Sequence, residues 1–283
     1  MMHFPDALLD AWLDEDSPYG DLTTECLRLG DQPARLEAHV RGATVCACTE
    51  EAGRLVERCD GRVALCAVSG TALDDGKILL RAEGPARGLF RAWKPVQNLL
   101  EYACGIASHT RTVLNVARAA RPRVQLLATR KSPPGMKKIV VKAITAGGAQ
   151  MHRLGTSETF LAFPQHMAFC GGAEGLSGLL PGLRDSLVEK SLAAEVGDLG
   201  QALLVAKAGA NLLQFDKQPA AVLARWVAQL RGEYPHLRLL AAGGIRLDNV
   251  AEYAATGVDG LVLSSLYQAP PADIGIRLCP ADD

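Results

Sequence analysis

Aromatic residues make up only 5% of this 283-residue chain, and no apolar run approaches membrane-spanning length. The chain reads as having no membrane partner. There is no surplus of charge either: 30 Lys and Arg stand against 31 Asp and Glu. A general nucleic-acid binder would carry a basic excess, so that class is set aside, and any anion site must come from local clusters. Eight cysteines occur, none in a Cys-x-x-Cys pair; Cys46 and Cys48 are one residue apart and the rest are scattered. A structural zinc site is poorly supported, and the thiols read as reduced and mostly buried. The opening stretch lacks a basic-then-apolar signal pattern and turns acidic at Asp14, Glu15 and Asp16, so a cytoplasmic protein is expected.

What is present divides in two by pattern. From about Leu36 to Ala86 short strands alternate with turns, at Leu36–Val40, Val63–Val68 and Ile78–Ala82. Among them a helix over Thr49–Val56 has Thr49 as its expected N-cap. A long amphipathic stretch follows from Gly88 to Ala120, with a break expected at Gly105. Beyond it strands and helices alternate. Strands are expected at Val124–Ala128, Thr159–Phe163, Leu192–Val196, Ala210–Phe215, Arg238–Ala242 and Gly260–Leu263. Helices are expected around Lys137–Ala146, Leu199–Ala208, Ala220–Arg231 and Leu247–Thr256. Such repetition implies a parallel sheet covered by helices, open or closed into a barrel. A barrel fits better, because functional-looking residues end many strands and a barrel gathers all those ends on one face.

Two basic clusters are the sharpest feature. Thr129-Arg130-Lys131 runs into Ser132-Pro133-Pro134-Gly135 after an apolar strand, and His152-Arg153 follows Gly147-Gly148. Arginine offers a planar fork for a carboxylate or phosphate, and lysine a compact point charge. Together they imply a ligand with more than one anionic group; the plainer alternative is solvated surface charge. Glu195 and Asp216 lie at the ends of successive strands. Carboxylates beside an anion site suit sugar hydroxyls, Mg²⁺ or a developing positive charge, while either one alone would read as an exposed loop acid. Gly243-Gly244 and Ser264-Ser265 end the last two strands, where backbone N–H groups can approach a phosphate, with a helix expected immediately after the glycines. A terminal phosphate, a ribose-like polyol, a second anion and an acidic co-substrate are the ligand set of phosphoribosyl transfer.

At this point the chain resembles a known family. Gly20-Asp21-Leu22-Thr23-Thr24, Cys104-Gly105-Ile106-Ala107, Thr129-Arg130-Lys131 with Pro134-Gly135, His152-Arg153-Leu154-Gly155, Glu195, Asp216, Gly243-Gly244 and Thr256-Gly257-Val258-Asp259 look like the quinolinate phosphoribosyltransferase (nicotinate-nucleotide pyrophosphorylase) family. The likeness runs in order over almost the whole chain. Within the family, the residues around Phe163-Pro164-Gln165-His166 look most like the ModD branch, associated with molybdenum-transport operons.

The resemblance implies an N-terminal α/β sandwich domain (1–108), an incomplete parallel α/β barrel (109–265) and a C-terminal tail (266–283) returning to the first domain. It implies a cytoplasmic homodimer whose active sites each take a basic residue from the partner; by alignment that residue is Lys94. Arg130, His152 and Arg153, with Phe163, would line the pocket for a heterocyclic acid. Lys131, counted with Glu195 and Asp216 as catalytic, would serve pyrophosphate or bridge the two substrates. Glu195 and Asp216 would hold ribose hydroxyls and Mg²⁺ and stabilise charge at the anomeric carbon. Gly243, Gly244 and Ser264 would surround the 5-phosphate of phosphoribosyl pyrophosphate. Catalysis would come from alignment and electrostatic stabilisation, with no covalent enzyme intermediate.

Two departures bear on the acceptor. The resemblance implies an arginine where Lys94 stands, and a lysine in a Lys-Asp-Asn-His stretch where this chain has Phe163-Pro164-Gln165-His166. Desolvating a second carboxylate without its cation would cost on the order of several kcal/mol. The expectation is therefore a phosphoribosyltransferase with an acceptor other than quinolinate. The alternatives are a true, decarboxylating quinolinate enzyme of pyridine-nucleotide synthesis and a non-catalytic nucleotide- or oxyanion-binding regulator. His166 reads equally as a pocket residue or a packed one, and Arg111 equally as a pocket residue or a helix-surface charge.

Overall fold

In the computed structural model, which describes residues 2–281, the chain begins α1 (Asp6–Asp16), α2 (Leu22–Cys26), β1 (Pro33–Val40), β2 (Thr44–Val45), α3 (Thr49–Glu57), β3 (Arg62–Cys66), β4 (Ala72–Leu73), β5 (Ile78–Pro85) and α4 (Ala86–Ala120). It continues β6 (Gln125–Ala128), α5 (Lys137–Ala146), β7 (Gln150–Met151), β8 (Phe160–Ala162), α6 (Pro164–Met167), α7 (Gly172–Ser186), β9 (Leu192–Val196) and α8 (Leu199–Lys207). It ends β10 (Leu212–Asp216), α9 (Ala220–Glu233), β11 (Arg238–Ala242), α10 (Val250–Ala255), β12 (Gly260–Leu263), a 3-10 turn (Ser265–Gln268) and β13 (Ile274–Pro280).

These elements form two compact units. The first comprises residues 1–111, 132–148 and 266–283, and the second 112–131 and 149–265. The tail thus groups with the N-terminal part. The units differ from the expected spans in two places: the first boundary falls after 111 rather than the expected 108, and residues 132–148, including α5, group with the first unit, although they lie between two barrel strands in sequence. Lys142 of α5 is paired with Glu50 and Glu51 of α3, a bond network internal to that unit.

The first unit is built on an antiparallel sheet of order β13-β1-β5-β3. In β1, Ala34, Leu36, Ala38 and Val40 are buried while the residues between them are not, the period-two pattern of a one-sided sheet. Arg81 of β5 faces Glu37 of β1 in register and donates to it at 2.7 Å. α3 starts at Thr49 and its N-cap is Cys48, so the expected Thr49 cap is corrected. The Thr49 hydroxyl donates instead to the Ala67 carbonyl at 2.5 Å, tying the helix to the end of β3. α4 is a single helix with no break at Gly105. A Cβ there would come within 2.3 Å of the Pro270 carbonyl oxygen, so this glycine serves close backbone approach.

The second unit is a seven-stranded, all-parallel sheet of order β7-β6-β12-β11-β10-β9-β8. Every strand that would neighbour another in a closed barrel does so except β7 and β8, which remain the two edges. The barrel is therefore incomplete. Its inner face is marked by Leu127, Leu212, Leu240, Ala242 and Val262, which pack together. Among the elements of this unit that escaped the sequence pattern are β7, α6 and α7. β7 is only two residues long. α7 is hidden by Gly172, Gly175, Gly178, Pro181 and Gly182, residues that argue against a helix when no tertiary contact is known. Its buried Ala173, Leu176 and Leu180 supply the apolar stripe that overrides them.

Candidate functional site

In a parallel sheet all C-terminal strand ends face one way, and the second unit places its chemistry there. Arg130 and Lys131 follow β6, His152 and Arg153 follow β7, Phe163 follows β8, Asp216 closes β10, Gly243 and Gly244 follow β11, and Ser264 follows β12. Glu195 sits one residue before the end of β9. All the expected site residues except Lys94 are thus gathered at one end of one sheet. Lys94 lies on α4 in the other unit, exposed, donating to Gln97 Oε1 at 3.0 Å with its ammonium 4.8 Å from the Trp93 ring centre.

A cavity of about 470 Å³ occupies the open edge of the barrel. Its lining comes from the segments after β6 and β7, with Arg130 and Arg153, and from β8 and its flanks, with Thr159, Phe163 and His166. Arg153 is only 8% exposed. One terminal nitrogen donates to the Thr156 carbonyl at 2.9 Å, but its Nε is buried with no acceptor. Burial pulls its pKa down, the neighbouring Arg130 adds to that effect, and Glu158 opposes it. Burial and then Arg153 likewise bring His152 down to about 4, so this imidazole is neutral near pH 7. It can donate or accept a hydrogen bond but supplies no cation. A buried guanidinium with one unsatisfied N–H, lining a cavity, has the chemistry to accept a carboxylate.

Across the cavity Phe163 and His166 stack, with ring centres 5.8 Å apart and planes 27° from parallel. His166 Nδ1 accepts from the Phe163 backbone N–H at 3.0 Å, which holds the imidazole against the ring. Of the two readings left open for His166, the pocket position is the observed one. Arg111 takes neither of its two expected places. It donates to the carbonyls of Gly147 and Ala146, at 2.9 and 3.0 Å, and so caps the C-terminus of α5.

Glu195 and Asp216 stand near each other at the ends of the neighbouring strands β9 and β10. Glu195 accepts from Gln214 Nε2 at 2.6 Å. Its pKa is raised, first by burial and also by Asp216, against the lowering effects of Gln214, Lys131 and Lys217. Mutual repulsion of two carboxylates is the mark of a place that prefers a cation or hydroxyl donors. Gly243 has φ +82°, and a Cβ there would fall 2.4 Å from Asp216 Oδ1 and 2.9 Å from the Lys217 nitrogen. Only glycine lets β11 turn this closely over Asp216. Gly244, at φ +71°, faces open space. The helix expected right after these glycines starts later, at Val250. The intervening turn is closed by Asn249, whose side chain accepts from Arg246 N at 2.8 Å and donates to the Gly244 carbonyl at 3.0 Å. A phosphate here would meet a glycine turn, with no helix N-terminus adjoining it.

Two residues of this region are absent from the sequence reading. Lys217 holds a left-handed conformation, φ 54°, through its N–H to the Ala242 carbonyl at 2.8 Å, and exposes its side chain beside Asp216. Gln214 is 4% exposed and touches Glu195. A polar residue in an otherwise apolar strand was the available signal for Gln214, and an acid-base neighbour pair the signal for Lys217.

Comparison with known proteins agrees with this geometry. Residues 21–104 match the family model described as quinolinate phosphoribosyl transferase, N-terminal domain, and residues 106–277 that of the C-terminal domain. A Rhodobacter capsulatus protein named as a pyrophosphorylase, ModD, is 39% identical over 257 residues, 91% of this chain and 98% of the relative. The rat nicotinate-nucleotide pyrophosphorylase [carboxylating] is 27% identical over 98% of this chain and 92% of its own. The solved nicotinate-nucleotide pyrophosphorylase of Francisella tularensis shares the fold, with a TM-score of 0.89 at 19% identity over 98% of both chains. With both domain models matched in order along nearly its whole length, the chain belongs to the quinolinate phosphoribosyl transferase family.

Proposed function

We propose that this protein transfers ribose 5-phosphate from phosphoribosyl pyrophosphate to a ring nitrogen of a heterocyclic acid, releasing pyrophosphate, and that its acceptor is a flat, partly apolar acid other than quinolinate. The observation that carries the acceptor reading is the cavity at the barrel's open edge. One wall holds the buried Arg153 guanidinium with its Nε unsatisfied; the other is a stacked Phe163–His166 pair. That lining suits a planar ring with one carboxylate on Arg153 and an apolar face on Phe163.

Donor recognition is assigned to the remaining strand ends. Gly243, Gly244 and Ser264 would take the 5-phosphate, and Lys131 the pyrophosphate. Among the described residues no group of three or more His, Cys, Asp or Glu side chains could hold a metal by itself. Mg²⁺ commonly binds through one or two carboxylates plus substrate phosphates, so Glu195 and Asp216 fit a metal that arrives with the donor. When bound, it would neutralise the leaving pyrophosphate. The protein's own residues would align the ring nitrogen with the anomeric carbon, hold the ribose hydroxyls on Glu195 and Asp216, and stabilise developing positive charge there. Lys94 would reach the site of a partner subunit in a homodimer. No helix among the described residues is long and apolar enough to cross a membrane, and a cytoplasmic location goes with this chemistry.

The test is pyrophosphate release from phosphoribosyl pyrophosphate and Mg²⁺, with quinolinate, nicotinate and other nitrogen heterocycles supplied in turn. Release with a monocarboxylate but not with quinolinate is the expected result. Efficient release with quinolinate would replace this reading with that of a pyridine-nucleotide enzyme. Binding of the donor without turnover of any acceptor would move the assignment to a binding protein.

A further inference from the structure

The inner face of the barrel carries a polar pair among apolar residues. On β10, side chains alternate, so residues 212, 214 and 216 share a face. Leu212 packs into the inner cluster with Leu240, Ala242 and Val262. Gln214 and Asp216 therefore also point inward. In the parallel register Gln214 lies directly opposite Glu195 of β9 and Leu240 of β11. A glutamine that is 4% exposed, with Leu240 as its neighbour on the other side, needs a reason to be there.

Its hydrogen bonding supplies one. A carboxylate can only accept, so the amide NH₂ faces Glu195, at 2.6 Å to Oε2. The amide carbonyl then points away and is buried with no partner. For stability alone this arrangement is poor, because an apolar side chain of similar size would leave no buried orphan. A site that tolerates this cost gains by fixing a carboxylate. Commitment of Oε2 to Gln214 restricts the Glu195 side chain and leaves its other oxygen for a ligand hydroxyl.

We propose that Gln214 is the positioning residue of the donor site, holding Glu195 so that its second oxygen meets a ribose hydroxyl. The inference rests on the phosphoribosyl reading above. Gln214 itself need not touch the donor; it acts through Glu195. Methionine has nearly the same length and volume, so Gln214→Met removes the hydrogen bond and the orphan carbonyl while keeping the packing.

The experiment measures, by calorimetry on wild type and Gln214→Met, binding of phosphoribosyl pyrophosphate with Mg²⁺ and separately of inorganic phosphate, together with the thermal midpoint. Loss of a hydrogen bond to a charged group is expected to weaken donor binding about tenfold or more. Phosphate binding should be unchanged, since the phosphate site has no part in the Gln214–Glu195 pair, and the midpoint should change little, because loss of the bond to Glu195 opposes removal of the orphan carbonyl. Equal donor affinity in the two proteins would overturn the inference. So would parallel loss of both affinities with a lowered midpoint, which is the signature of a packing role. Failure of the wild type to bind the donor at all would sink the phosphoribosyl reading, and this inference with it.

Discussion

Two groups of charges, one in each compact unit, are handled in opposite ways. In the first unit Lys142 Nζ donates to Glu50 Oε2 at 2.8 Å and also to Glu51, and Glu50 accepts from both the backbone and the hydroxyl of Ser69. The Lys142 and Glu51 side chains are 11% and 6% exposed, so the group is buried and fully paired. In the second unit Arg130, Lys131 and Lys217 are exposed to solvent and form no ion pair among the described residues, and Arg153 alone is desolvated, with one buried nitrogen unused. Desolvated charge that is internally satisfied belongs to the fold. Desolvated charge left without its counterpart is held for something that arrives. The difference separates structural from functional charge without any appeal to relatives.

The pKa directions repeat the contrast. Burial pushes Glu50 up, but the bonds from Lys142 and Ser69 outweigh it and bring the carboxyl to about 2. Lys142 is pushed down by burial and carried above its ordinary value by the same two glutamates. At the strand ends the balance fails: Arg153 and His152 are lowered and Glu195 is raised, each first by burial. The first group is stabilised in its charged form, and the second awaits compensation.

The widest separation between the two groups is expected from Arg153→Ala. Truncating one partner of a buried charge pair costs roughly 2–5 kcal/mol of binding, so affinity for the acceptor should fall about a hundredfold or more. The urea midpoint should hold or rise, because a buried unpaired charge is removed. An unfolding curve shifted to lower urea with acceptor affinity unchanged would make Arg153 structural and erase the distinction. The reverse result is expected at Lys142→Met. Leaving Glu51 buried and unpaired should cost about 3 kcal/mol in urea unfolding, with donor and acceptor affinities of the folded fraction unaltered.

A smaller effect sharpens the donor side. Gly243→Ala forces a side chain to φ +82° and against Asp216. A loss of about 1–3 kcal/mol in stability is expected, with weaker phosphate binding, measured by melting with and without inorganic phosphate. Stabilisation by phosphate equal to that of the wild type would separate the glycine turn from the phosphate site.

The smallest effect is in pH. The folded value for Glu50 is about 2 against an ordinary 4.5. A depressed carboxyl contributes stability that is complete above its unfolded value and is lost as pH falls through 4.5 toward 2. Glu50→Gln should flatten the acid side of the stability profile in that window, while the pH dependence of Arg153→Ala there should match that of the wild type. His152 adds a separate slope. Its folded value of about 4 lies below the ordinary 6.5, so the folded state binds fewer protons between these values and stability rises with pH across them.

Much of the framework that carries the second group of charges is legible in the sequence. Strand–helix alternation gave six of the seven barrel strands, missing β7, with β9, β11 and β12 at their expected bounds. The basic clusters and both acids fell at strand ends, because turns and apolar runs mark those ends in the local pattern. What escaped notice depended on pairing across distance. α7 was masked by glycines and a proline whose unfavourable helix propensity is overridden by packing. Gln214 looked like one polar residue in a strand until the register set it against Glu195. Lys142 carries no signal within its own helix, and only the bonds from α5 to α3 show that it is buried and paired.

The sequence by itself determined the classes of element, the order of strands and helices, and which strand ends carry cations, acids and glycines. These follow from periodicity and local backbone preference, which need only near neighbours. Tertiary structure decided which charges are satisfied, that β7 and β8 stay unpaired and leave a cavity between them, and that one glutamine orients a carboxylate. Those outcomes depend on register and burial, and burial is a property of the folded chain that no single segment carries.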